Sequence, residues 1–300
     1  MGSSRMKQIG IYVGKHFRVF KNDRGWKTII FATIIAFLVS FVLGGSMFVY
    51  DMDTFSGSFT MVSACIWIGI FNSIQSICKE RAIIKREHRT GLHISSYVIS
   101  HMIYQGVICL IEALVILLIS AIFLHYPTSK ALLGNIYIEY YITYFLLTYG
   151  ADVLGLAVSS IVRSTATAMT VMPFVLIIQL IFSGMLFTLS GPMNYVANMT
   201  LSKWGLNATC ISADYNNLEK VEKVRITRYI KQAGQKKNLP ITDEMVQSIV
   251  EEAYVDQGGN PAYEYELSNL LTQWGILMVH IFVYGAISIV ALEFVDKDKR

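Results

Sequence analysis

Six apolar runs, each about long enough to cross a ~30 Å hydrocarbon layer, fix what this chain can fold into. They occupy residues 28–50, 58–78, 97–124, 136–161, 168–189 and 273–294. Segments of this kind satisfy their backbone polar groups only as helices, because lipid offers them no hydrogen-bonding partner. Charged residues make up 15% of the 300 residues and apolar ones 54%, against about 25% charged in soluble domains. The sequence therefore predicts an all-α integral membrane protein with six transmembrane helices. The net charge of +4 reflects bases in loops, where membrane orientation already explains them, so no nucleic-acid partner is implied. Membrane lipid is the partner that the composition demands.

Between the second and third runs lies a dense charged stretch, residues 79–97. Lys79, Arg81, Lys85, Arg86 and Arg89, with Glu80 and Glu87, fill its first eleven positions. A short loop this basic between closely spaced spans is expected on the cytoplasmic side. Glu80, Ile84, Glu87 and His88 recur at helical spacing, which predicts a short interfacial helix.

The remaining loops follow that orientation. Residues 1–27 carry seven bases against Asp23 alone, with Ile9, Val13, Phe17 and Phe20 as an apolar stripe. They predict an amphipathic helix lying on the cytoplasmic face. The basic flank of the first run, and the lack of a small-residue cleavage site, argue against a removable signal peptide. Residues 28–189 then hold the first five spans, with the charged loop at 79–96. Residues 190–272 form a large extracellular loop containing two amphipathic segments, 218–231 and 242–254. Residues 273–300 supply the sixth span and a cytoplasmic tail, so both termini are cytoplasmic. A plasma-membrane location follows.

No phosphate-binding loop, dinucleotide fingerprint, catalytic triad or zinc-ligand spacing occurs in the sequence. The chain is expected to be no enzyme and to carry no cofactor or metal of its own. Glu112 and Asp152 fall inside spans, where an ionised carboxylate costs roughly 2.5–3.5 kcal/mol and should face a partner or a cavity. They read as an interhelical polar network or, alternatively, as a cation relay. Cys210 stands in the outer segment, where an unpaired thiol suggests either an intermolecular bond or a free group.

The order of residues in the charged stretch resembles the coupling loop of G-type (White-type) ABC exporter permeases. Glu80-Arg81, Arg86-Glu87, Gly91 and Ser95-Ser96-Tyr97 follow one another at that family's spacing. The resemblance extends to Phe182-Ser183-Gly184, similar to the family's FSG motif, and to Ser202-Lys203-Trp204-Gly205-Leu206-Asn207-Ala208, similar to S-x-x-W-x-x-E-A with Asn207 for the acid. It implies a permease that dimerises, as homo- or heterodimer, around a central cavity and exports an amphipathic or apolar cargo such as a drug, lipid or modified peptide. ATP and Mg would be bound by a partner ABC ATPase, gripped through Glu80, Arg81, Arg86, Glu87 and Gly91. In the family's register Met61, Cys65, Ile68, Ile177 and Leu180 line the cavity. Met185 and Leu186 form a plug, and Cys210 falls in a loop that carries an intersubunit disulfide in some members. A cation-coupled carrier using Glu112 and Asp152, or a membrane anchor displaying the outer loop, are the alternatives from other classes.

Overall fold

The computed structural model describes residues 4–23, 25–127, 131–187, 190–236, 243–253 and 259–294. The elements named among them are all helical. An amphipathic helix α1 (Arg5–Asn22) is followed by α2 (Lys27–Leu43) and α3 (Asp51–Ser73). Then come α4 (Ser76–Arg89), α5 (Ile94–Phe123), α6 (Ile136–Ile161) and α7 (Thr165–Ile181). The chain closes with α8 (Pro192–Ala197), α9 (Leu201–Ser212), α10 (Val221–Lys236), α11 (Asp243–Ala253) and α12 (Leu267–Glu293). Among the described residues five helical stretches are long and apolar enough to cross a membrane. The exception among the expected spans is α7, whose 17 residues extend only about 26 Å at 1.5 Å per residue.

The core is built on α3 and α6, and small residues set their spacing. A Cβ at Gly69 would strike the Thr148 carbonyl and the Ala151 side chain, and one at Gly155 would strike Ser73. The helices thus touch backbone to backbone, the small-residue contact that membrane bundles use where no hydrophobic force operates between helices. The Ser73 hydroxyl uses the short distance to donate to the Asp152 carbonyl at 2.5 Å. Around this pair sit α12, α5 and α9.

Several boundaries differ from expectation: the first span, expected to reach residue 50, is helical as α2 only to Leu43, and the second, expected at 58–78, is α3 from Asp51 to Ser73. The fifth span was expected to run to residue 189, yet α7 stops at Ile181 and the chain turns at Ser183 and Gly184, the latter with φ +89°. A left-handed φ suits glycine and breaks the helix. Pro173, expected near the helix start, stands mid-helix with its ring exposed. The sixth span begins six residues before the expected Gln273, at Leu267.

Part of the expected outer loop is core. Leu201, Leu206, Ala208 and Ile211 of α9 are fully buried, and α9 packs against α3, α6 and α12. Its first turn is capped from α7: Gln179 Oε1 accepts from the Leu201 and Ser202 amides at 2.9 and 3.2 Å. Farther on, Asp51 at the head of α3 accepts from the Val221 amide at 3.0 Å and anchors α10. α10 and α11 fall on the two expected amphipathic segments and pack on each other. Thr242 and Tyr254, at the expected ends of the second segment, lie outside the described residues.

Candidate coupling site

The charged stretch folds as α4, whose first half is tied to the end of α6. Ser159 Oγ accepts the Ile77 and Cys78 amides, both at 3.1 Å, so a side chain of α6 caps the first turn of α4. Arg81 donates Nη1 to the Ser160 and Val162 carbonyls at the C-terminus of α6, at 2.6 and 3.1 Å. A cation on unpaired terminal carbonyls is favoured by the helix dipole. The two helices are thus joined as one unit at this end.

Helix α1 is stapled across this unit by polar contacts. The Tyr12 hydroxyl donates to Glu87 Oε2 at 2.6 Å, and Lys15 pairs with Glu80 Oε2 at 3.2 Å. Gln8 bridges the loop after α4, donating to the Gly91 carbonyl and accepting from the His93 amide, both at 3.0 Å. Gly91 itself holds φ +107°, which glycine alone adopts without strain. The buried residues of α1 are thus Gln8 and His16, whereas Phe17 of the expected apolar stripe stays exposed. Polar satisfaction, not apolar area, chose the docking face.

Behind the staple lies a hydrogen-bonded chain. Tyr97 donates to Glu80 Oε2 at 3.0 Å, so His101 Nε2, 3.0 Å from the same hydroxyl, must donate to it. Ser100 donates to the Tyr97 carbonyl at 2.6 Å, so His16 Nε2, 3.3 Å away, donates to Ser100. The two imidazole centroids are 3.8 Å apart. Burial holds His16 down to about 4, with Glu80 opposing and Lys15 assisting. Burial and Glu87 push the Tyr12 hydroxyl well above its usual value. His16, Tyr12 and Gln8 were absent from the sequence reading; a polar i, i+4 row (Gln8, Tyr12, His16) was the available signal.

Of the five residues that resemblance assigned to the ATPase contact, four are engaged within this chain. Glu80, Arg81, Glu87 and Gly91 hold α1, α5 and α6, and Arg86 is exposed. Lys79, Ala82, Ile83 and Arg86 fall at i, i+3, i+4 and i+7 and are all exposed, one free face along α4.

The remaining site residues divide. Glu112 is fully buried and accepts from Asn72 Nδ2 at 2.7 Å. Gln105 donates to the Asn72 carbonyl at 3.5 Å, which joins α3 and α5. Asp152 is fully buried on α6, and neither of its carboxyl oxygens, nor Glu112 Oε1, has a hydrogen-bond partner among the described residues. Met61, Cys65 and Ile68 of α3 are buried at 1%, 0% and 3% in the core of the protomer. Trp67 and Phe71 of α3 are exposed, and Ile68 and Phe71 line a groove shared with α2. On α7, Ile177 is exposed and Leu180 half-buried. Met185 and Leu186 sit on the turn beyond the helix, with the Met185 amide donating to Ser183 Oγ at 3.2 Å and Leu186 exposed. Cys210 is free and fully buried in α9. An intersubunit disulfide there would require the core to open.

Long apolar helices around buried carboxylates, with an amphipathic helix docked on a polar connecting helix, define a multi-pass membrane protein of the permease kind. The chain belongs to the ABC-2 type transporter family, whose profile matches residues 7–210, from α1 through α9. Over 152 residues it is 26% identical to the ABC transporter ATP-binding/permease protein Rv1747 of Mycobacterium tuberculosis. That match covers 50% of this chain and 18% of the relative, so the aligned half of the chain spans about a fifth of the longer protein. Family and relative agree with the G-type permease resemblance.

Proposed function

We propose that this chain is the membrane-spanning part of an ATP-driven exporter in the plasma membrane, with α4 as the surface that an ABC ATPase grips. The observation that carries the reading is the construction of α4. Its inward face is fastened to α1, α5 and α6, and its outward face, Lys79-Ala82-Ile83-Arg86, is left open. Force applied to that face would pass directly to α6, the centre of the bundle. In this reading the polypeptide crosses the membrane six times, α7 and the following turn forming the short fifth crossing, and residues 218–254 lie outside. ATP and Mg belong to the ATPase, whether a separate subunit or another part of a longer chain.

A second protomer is expected against α7. Phe174, Ile177, Ile178 and Ile181 leave an exposed apolar stripe there, and Leu186 at its end is placed to meet its counterpart. Apolar lining suits an amphipathic or apolar cargo. Ile83→Asp and Arg86→Glu test the reading in the full chain co-expressed with its ATPase. Loss of co-purification and of cargo-stimulated hydrolysis, with an unchanged melting curve, is the expected result; full retention of both overturns it.

A cation-coupled carrier is the second reading, favoured by the unpartnered carboxyl oxygens of Asp152 and Glu112. Transport driven by a proton or sodium gradient without ATP, lost in Asp152→Asn, would select it.

A further inference from the structure

A cleft opens between α1, α2, α3, α4 and α5. Its wider part, about 590 Å³, is lined by polar and aromatic groups that include Asp23, Gln75, Lys79, Tyr104 and Asn72. A narrower groove of about 390 Å³ continues from it between α2 and α3, lined by Phe31, Ala32, Ile35, Ile68 and Phe71. Thr28, Phe71 and Asn72 line both, so the two adjoin there. The lining changes from charged and polar to mostly apolar from one to the other, and Phe31 is 63% exposed at the groove.

The mouth carries one unspent charge of each sign. Glu80 is occupied by Lys15 and Tyr97, and His16 is held neutral by burial. Lys79 and Asp23 are exposed, and neither side chain forms an ion pair among the described residues. Asn72 at the junction is fixed by Glu112 behind it, so the polar wall is rigid where the two parts meet.

We propose that this cleft binds a membrane phospholipid whose headgroup carries both a phosphate and a primary ammonium, with an acyl chain laid along Phe31, Ile35, Ile68 and Phe71. Lys79 takes the phosphate and Asp23 accepts hydrogen bonds from the ammonium. A quaternary ammonium has no N–H to donate, and an anionic headgroup leaves Asp23 facing a like charge, so the pair selects a phosphoethanolamine-type headgroup. The combined space has the size and the largely apolar lining of a small-molecule site. Lys79 and Ile83 also stand on the open face of α4, so the cleft adjoins the proposed ATPase contact, but nothing in the lipid inference requires a nucleotide.

The test uses the full chain in phosphatidylcholine nanodiscs containing a trace of phosphatidylethanolamine with a photoactivatable acyl chain, the labelled peptides being mapped by mass spectrometry. Label is expected on α2 and on the Ile68–Phe71 turn of α3. Replacing part of the phosphatidylcholine with unlabelled phosphatidylethanolamine should lower the label about tenfold more than replacing it with phosphatidylglycerol, the equivalent of ~1.4 kcal/mol. Removing the charges, Asp23→Asn with Lys79→Gln, should abolish that preference. Ile35→Trp, which fills the groove without touching the mouth, should remove the label while the melting curve holds. Label spread evenly over exposed positions such as Val42 and Phe282, or equal competition by phosphatidylglycerol, would mean annular lipid only and overturn the proposal.

Discussion

At the residue scale, the residues that sequence order marks as coupling groups act first as fasteners of their own chain. Glu87 is the clearest case, because its partner Tyr12 is 75 positions away and the bond is 2.6 Å long. Hydrogen bonds to charged groups contribute about 1.5–3 kcal/mol. Glu87→Ala and Tyr12→Phe should each lower the thermal midpoint, and the double variant should fall little further than either, since they break one contact. Additive losses would show that the two side chains work separately. His16 supplies a pH dependence with a definite sign. Its folded value of about 4 lies below the unfolded 6.5, so between these values the unfolded chain takes a proton that the folded one refuses. Stability should fall as pH drops from about 6.5 to 4 and then level off on this account. His16→Gln should flatten that slope, as measured by denaturation across the window; an unchanged acid limb would place its origin elsewhere. Cys210, fully buried, should give no dimer band on a non-reducing gel.

At the element scale, close approach of α3 and α6 is what holds the bundle. Gly69→Ala drives a methyl into the Thr148 carbonyl, which is backbone and cannot rotate away. Overpacking of this kind costs about 1–3 kcal/mol. Gly10→Ala on α1 is the control: nothing lies within 4 Å of the added methyl, so helix propensity should leave it neutral or more stable by about 0.5–1 kcal/mol. Melting curves of the two variants moving together would contradict the contact. The long helices were legible because apolar length is decided locally, and 136–161 coincides with α6. What was illegible depended on partners. Buried Leu201–Ser212 is short and follows a break, so nothing local distinguishes it from a loop; its first turn is capped by Gln179, 22 residues earlier. The faces of α3 are hard to tell apart in the sequence for the same reason. An apolar helix looks alike all round, and only the glycines at Gly69 and Gly155 mark which side meets α6.

At the scale of the whole molecule, the bundle leaves an exposed apolar stripe on α7 and a cleft between α1, α2, α3, α4 and α5, and α4 is the proposed handle. Topology is checked by cysteines at Met52 and Asn260, both exposed, which should react with an impermeant reagent from outside, whereas one at Arg86 should not. Ser58, though it heads the second apolar run, is fully buried and would report nothing. Met185→Ala with Leu186→Ala should raise basal ATP hydrolysis of the complex and make transport leakier with little loss of assembly, as assays of hydrolysis and transport would show. The central claim is that an ATPase seizes the free face of α4. A photo-crosslinking amino acid at Arg86, and in a parallel sample at Leu186, tests it in membranes that hold the full chain and its ATPase. The account predicts a crosslink to the ATPase from Arg86 and none from Leu186; an ATPase adduct from Leu186, or none from Arg86 in a complex that still hydrolyses ATP on cargo, would contradict it.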